Sequence, residues 1–171
     1  ALAAYELGAP ERRDAHLALL VTDPAKPDSA KTVSEVRILL DEQRPEDALA
    51  VLAMLPKKHT AALRLELLAR QRAGQWEAVP ALIDQLEKRD VFNKDRADAE
   101  RRQAYSQWIE HKSIDADSLK EVWRRVPERY RKDTTVAAKA ASAFHAFGLC
   151  GEAQAIIERS LDVAWDSELV N

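Results

Sequence analysis

Residues 61–86 read A-A-L-R-L-E-L-L-A-R-Q-R-A-G-Q-W-E-A-V-P-A-L-I-D-Q-L. Leu63, Leu67, Leu68 and Ala69 recur at helical spacing as far as Ala73. Gly74 then offers a residue free to take positive φ at a helix end. Trp76 and Val79 restart an apolar stripe that continues through Leu82, Ile83 and Leu86. The stretch therefore predicts a helix, a tight turn and a second helix, each with one apolar face. Neither helix can bury that face alone, so the unit requires neighbours of the same kind.

Working outward, the same layout returns. Gln43-Arg44-Pro45-Glu46-Asp47-Ala48, Gly74-Gln75-Trp76-Glu77-Ala78-Val79 and Gly148-Leu149-Cys150-Gly151-Glu152-Ala153 align as three turns, each opening a second helix. The small or apolar position early in that helix falls at Ala15, Ala48, Val79, Leu119 and Ala153, at spacings of 33, 31, 40 and 34 residues. Helix–turn–helix units at a period near 34 residues are the pattern of tetratricopeptide repeats. The expected fold is all-α: a right-handed tetratricopeptide-like solenoid of about ten antiparallel-paired helices, a single repeat domain over residues 1–171. The fourth unit is longer and lacks the turn glycine, so residues 90–132 are the stretch whose repeat register the sequence leaves open.

The helices follow from local signals. Ala1–Leu7 ends at Gly8, and Pro10 suits the first turn of a helix reaching Val21. Asp23–Ser29 carries two prolines and reads as a loop, with Asp28 or Ser29 as the next cap. Val33, Val36, Leu39 and Leu40 define one helix, and Pro45 opens another bearing Ala48, Leu49, Val51, Leu52 and Leu55. Asp95–Glu110 is a charged helix with Ala99, Tyr105, Trp108 and Ile109 as buried candidates. Asp115 or Asp117 caps a helix with Leu119, Val122, Trp123 and Val126, closed by Pro127, and Glu128–Lys132 is a polar stretch with room for one extra turn. Thr134–Phe147 and Glu152–Val163 form the last pair.

Composition agrees. The 171 residues are 46% hydrophobic and 32% charged, with 4 glycines, and Leu and Ala outweigh the β-branched residues, which favours helices over sheets. A net charge of −3 argues against nucleic acid as the main partner. One cysteine, Cys150, leaves no internal disulfide framework. No apolar run approaches the roughly 20 residues that span a bilayer, and no secretory signal is visible. The chain opens on Ala1 in what reads as the tail of a helix, and Trp165–Val170 reads as a helix beginning. Both ends predict a fragment of a longer protein.

The order of several segments resembles a known family. Gly8 with Glu11-Arg12-Arg13-Asp14-Ala15-His16-Leu17, the Gly74-Gln75-Trp76-Glu77 turn, Arg102-Gln103-Ala104-Tyr105, Leu119-Lys120-Glu121-Val122-Trp123 and Trp165-Asp166-Ser167-Glu168-Leu169-Val170 resemble the HemY family across nearly the whole chain. Those are proteobacterial, membrane-anchored tetratricopeptide-repeat proteins encoded with haem-biosynthesis genes. The resemblance implies two transmembrane helices upstream, further repeats downstream, and a place for this domain on the cytoplasmic side of the inner membrane. It implies a non-catalytic assembly or regulatory role in late tetrapyrrole synthesis, with haem-biosynthesis enzymes as partners. A flavin-dependent protoporphyrinogen oxidase shares the name in other bacteria. Its activity is not implied, since this chain has no Gly-x-Gly-x-x-Gly fingerprint and no sheet to carry one.

No catalytic constellation stands out, and the expectation is a protein that is not an enzyme. There is no Gly-x-Ser-x-Gly elbow, no phosphate loop and no base beside Cys150 in sequence. Glu46-Asp47 and Asp98/Glu100 read as solvated helix faces. His16, His59 and His111 are scattered, so no metal site is expected. His145 and Cys150 are residue types that ligate haem, five apart across a helix end, but without an established ligand spacing; the plainer reading is a packed Cys and a surface His. Trp76 and Trp123 read as core, and Trp108 stays open between core and surface.

The functional expectation rests on the first helices. Arg37, Arg64, Gln71, Arg101, Lys139 and His145 fall off their packing stripes and would line a concave groove as a cationic strip. Such a strip suits an acidic peptide, a C-terminal carboxylate or porphyrin propionates; the plainer reading is ordinary solvated side chains. The scaffold reading thus has three competitors: a tetrapyrrole-binding carrier with haem or porphyrin in the groove, a generic adaptor in cell-envelope processes, and self-association through unfinished helix pairs.

Overall fold

The structure is a computed structural model, and it describes residues 29–112 and 114–162. Among these residues the protein is all-helical, with no strand. The helices are α1 (Ser29–Asp41), α2 (Pro45–Ala53), α3 (Thr60–Arg72), α4 (Val79–Glu87) after a 3₁₀ turn at Trp76–Ala78, α5 (Lys94–Lys112), α6 (Ala116–Arg125), the single-turn α7 (Glu128–Arg131), α8 (Thr134–Ala146) and α9 (Cys150–Leu161). The expected helices over 1–21 and 165–170, the cap at Asp28, and the repeat position Ala15 lie outside what is described; Ser29 is the first residue of α1.

The chain divides into two compact units, residues 29–73 with 84–91, and residues 74–83 with 92–162, so that α4 runs from one into the other. In the first unit α1 packs on α2, α2 on α3, and α1 on α3. Val36 and Leu40 of α1, Ala48 and Leu52 of α2, Leu55, and Ala62 and Ala69 of α3 form its core. In the second unit α5 packs on the 3₁₀ turn, on α6 and on α8, while α8 also packs on α6, α7 and most extensively α9. In the first unit α1 thus touches its own second helix α2 and the next first helix α3, and in the second unit α5 and α8 touch α6 and α9 respectively and each other.

The turn layout read from the sequence is a repeated geometry. Gln43 (φ 58°), Gly74 (φ 66°) and Gly148 (φ 74°) all sit in the left-handed region. The residues that follow, Arg44, Gln75 and Leu149, share one conformation, with ψ of 65°, 55° and 59°. At two of the turns the closing bonds are those of a Schellman cap: Gln43 N–H donates to Leu40 O and Arg44 N–H to Leu39 O, as Gly148 N–H does to His145 O and Leu149 N–H to Phe144 O. The repeat positions behave alike too. Ala48, Val79 and Leu119 are fully buried and Ala153 nearly so.

The long unit differs in its connection. The turn before α6 has no glycine, and Asp115 caps α6 through a capping box, accepting from Ser118 N–H at 2.7 Å while its own N–H donates to Ser118 Oγ at 3.1 Å. The Ser118 N–H first, and the Ser118 hydroxyl after it, hold the Asp115 carboxyl below the usual carboxylate range. The extra turn expected at Glu128–Lys132 is α7.

Several assignments need correcting. Ala99 faces solvent, and the α5 stripe runs instead through Ala97, Arg101, Ala104, Tyr105, Trp108 and Ile109. The helix contains few large apolar residues, so small alanines and an ion-paired arginine complete its buried face. Leu68 is exposed although it follows Leu67. Cys150 is exposed rather than packed, because it opens α9 at the solvent end. Trp76 and Trp108 are buried, whereas Trp123 is only partly covered.

Candidate functional site

The six strip residues fall on first helices of both units: Arg37 on α1, Arg64 and Gln71 on α3, Arg101 on α5, Lys139 and His145 on α8. Arg37 and Arg64 are exposed and make no ion pair among the described residues, on helices that pack side by side. Gln71 is half-buried. Lys139 is exposed, with its Nζ 3.8 Å from Glu110 on the neighbouring α5, a separation at which solvent screening leaves little attraction. His145 is exposed, and its Nδ1 lies 3.6 Å from Cys150 Sγ across the Gly148 turn. Arg101 departs from the strip: it is buried, and its Nη1 donates to Asp98 Oδ1 at 3.0 Å. Its expected place off the packing stripe is therefore wrong: Arg101 shares the buried face of α5 with Ala97, Ala104 and Trp108, and that shared helical spacing is the signal that could have found it.

Asp98 is the most heavily engaged acid of the second unit. Besides Arg101, its Oδ1 accepts from Tyr130 Oη at 3.0 Å and from Arg129 Nη2. Burial alone would disfavour its charge, but the Tyr130 hydrogen bond and the guanidinium charges outweigh it and hold the Asp98 carboxyl below the usual carboxylate range. Burial and the same bond push the Tyr130 phenol up. The Tyr130 ring lies 4.9 Å from that of Tyr105, and the Arg129 guanidinium sits 4.6 Å over it. This assembly fastens the short α7 to α5, which α7 could not achieve by its own hydrogen bonds. On its far side Ser160 of α9, fully buried, donates to Lys132 O at 3.3 Å.

Three hollows open within single units. One of about 550 Å³ in the first unit is lined by Leu40, Asp41, Gln43, Pro45 and Arg72, and Arg72 is committed there to the carbonyl of Leu40. A second, of about 190 Å³, lies against Trp108, with Glu77, Glu121, Lys112 and Arg125 around it in balanced charge. Arg125 pairs with Glu77 and lies 5.1 Å over the Trp108 ring. The third, of about 210 Å³, is lined by Trp123, Glu128, Arg131, Lys132, Ile156 and Arg159. Its basic residues lie on α7, at its end and on α9, where only the fold brings them together, and the first-helix argument could not reach them.

Among the described residues no cluster of three or more His, Cys, Asp or Glu side chains could hold a metal, and no helix is long and apolar enough to cross a membrane. Comparison with protein-family models, with curated proteins and with solved structures finds no match for the chain.

Proposed function

We propose that this chain is a non-catalytic interaction module of the tetratricopeptide type, working as the HemY resemblance implies: a scaffold that gathers haem-biosynthesis enzymes at the bacterial inner membrane. The observation that carries the repeat reading is the turn geometry shared by Gln43, Gly74 and Gly148, together with the burial of Ala48, Val79, Leu119 and Ala153 behind it. Identical helix–turn–helix units stack into extended surfaces that bind other proteins without covalent chemistry. In this reading Arg37 and Arg64, exposed and unspent on adjacent first helices of the first unit, supply charge to an acidic partner, and Lys139 is the exposed first-helix cation of the second unit.

The test is affinity capture from detergent-solubilised membranes with the full-length protein and an Arg37→Glu/Arg64→Glu/Lys139→Glu variant. Capture of haem-pathway enzymes by the parent protein and not by the variant supports both scaffold and strip. Equal capture removes the strip and keeps the scaffold, and absence of those enzymes from both samples leaves the generic adaptor.

A second reading, tetrapyrrole carriage, draws on the exposed His145 and Cys150 side chains 3.6 Å apart, either of which can serve as an axial ligand. It expects a stoichiometric shift of the Soret band on haem addition that Cys150→Ser and His145→Ala together abolish. A shift that survives the double substitution discards this pair as the ligand.

A further inference from the structure

The third hollow is built differently from the other two. Its wall is the indole of Trp123 from α6 and the side chain of Ile156 from α9, and its polar rim is Glu128, Arg131, Lys132 and Arg159. One of the three cations is already satisfied: Lys132 Nζ donates to Glu128 Oε1 at 2.8 Å, and this bond and charge hold the Glu128 carboxyl below its usual range. Arg131 adds its charge to that of Lys132 on Glu128 without an ion pair to it, and Arg159 makes no ion pair among the described residues. Arg131 Nε is buried with no hydrogen-bond acceptor. A donor withdrawn from water and left unpaired is costly, and a charged one more so. The position of α7 is nevertheless imposed from both sides, by Tyr130 on Asp98 and by Ser160 on Lys132, so Arg131 cannot simply swing its backbone into solvent.

We propose that this pocket is a subsite for a carboxylate attached to a compact apolar group. Two guanidiniums that hold no carboxylate in an ion pair, one of them with its Nε–H unpaired, match a carboxylate in charge and in fork geometry. The indole and the isoleucine accept the hydrocarbon beside it. At about 210 Å³ the hollow is smaller than the roughly 300–1,000 Å³ of pockets that enclose whole drug-sized ligands, so it takes the end of a ligand. The end residue of a peptide with a free carboxylate and a small free carboxylic acid share this chemistry. The site draws on α6, α7 and α9 and shares no residue with the first-helix strip, and it stands whether or not that strip binds anything.

The experiment uses the whole chain, labelled with ¹⁵N, and follows the Trp123 indole resonance (assigned by Trp123→Phe) and the Arg131 Nε–H. The probes are N-acetyl-L-leucine, its carboxamide, and a hexapeptide ending in leucine with a free or amidated terminus. The acid moves both resonances saturably, and the carboxamide binds at least roughly tenfold more weakly, as loss of a charge-assisted bond requires. Arg131→Gln and Arg159→Gln each weaken the acid by about tenfold, while Arg44→Gln, at an exposed position of the first turn outside both strip and pocket, leaves it unchanged. Arg131→Lys keeps the charge without the fork and recovers part of the affinity, a result that a folding defect does not give. A peptide acid that outbinds N-acetyl-L-leucine marks a protein terminus as the occupant, and equal binding marks a small acid. Equal binding of acid and carboxamide, no saturable shift with the acid, or undiminished affinity in both glutamine variants overturns the proposal.

Discussion

Two acids, one in each unit, are withdrawn from solvent and engaged by cations, and they do different work. Glu66 of α3 is 4% exposed, with Lys58 Nζ 2.8 Å from Oε2 and Arg70 Nη2 3.2 Å from Oε1. All three lie within one short stretch of chain, so the trio seals the start of α3 to the segment that leads into it. Asp98 of α5 takes one partner from its own helix, Arg101, and two from 31 and 32 residues away, Arg129 and Tyr130. Glu66 therefore reinforces structure that α3 already has, whereas Asp98 creates a junction that nothing local would make. An engaged acid is informative in proportion to the chain separation it spans.

The comparison breaks first at Asp98→Ala. That change removes the acceptor shared by Arg101, Arg129 and Tyr130, at about 1 kcal/mol for each bond, and it should cost about 3 kcal/mol, read as a lowered urea midpoint. Faster amide exchange should concentrate in α7. Glu66→Ala should cost roughly half as much, about 1–2 kcal/mol, because Lys58 and Arg70 each keep 28% of their side chain exposed and turn to water. Equal losses in the two variants would show that the long-range junction adds nothing to an ordinary ion trio.

A pH series sharpens the same contrast. The folded-state pKa of Asp98 lies below its unfolded value, so the stability it contributes is present above the unfolded value of about 3.9 and disappears as pH falls through the lower, folded one. Between neutral pH and pH 3 or so the parent protein should lose stability more steeply than Asp98→Asn, which has no proton to gain there. Parallel curves would mean that the charge of Asp98 is immaterial and that only its shape holds Tyr130.

These networks also mark where the sequence stops being legible. The helices, their apolar stripes and the three matching turns are local, and each follows from a few adjacent residues: Gly74 before Trp76, Gly148 before Cys150, Pro45 opening α2. Even the unusual α7 is visible as a polar stretch between Pro127 and Asp133. Glu66 and Arg70, four apart, could be paired from spacing alone. Within α5 the stripe itself is ambiguous, because the helix offers little apolar contrast: periodicity admits Ala99 to the inside and Arg101 to the outside, the reverse of their burial, and Asp98 is one of many charges on that helix. What spacing cannot supply at all is register between helices. Trp123, Arg131 and Arg159 come together only when α6, α7 and α9 do.

The smallest expected effect concerns the repeated turn, where the two units reach one geometry with different residues. Gln43 holds φ 58° with a side chain, and Gly148 holds φ 74° without one. An L-residue in this region costs about 1–2 kcal/mol relative to its preferred conformations, and glycine avoids that cost. Glycine, however, gives the unfolded chain more freedom, worth about 0.4–1 kcal/mol in the opposite sense. The difference leaves Gln43→Gly stabilising and Gly148→Ala destabilising, each by roughly 0.5–1 kcal/mol. The second estimate needs no steric addition, since a Cβ built on Gly148 meets nothing within 4 Å. Thermal unfolding of the two variants should therefore shift in opposite directions by similar amounts. If Gln43→Gly is instead destabilising, the Gln43 side chain makes a contribution that backbone conformation does not explain, and the first turn is a specialised element rather than a copy of the last.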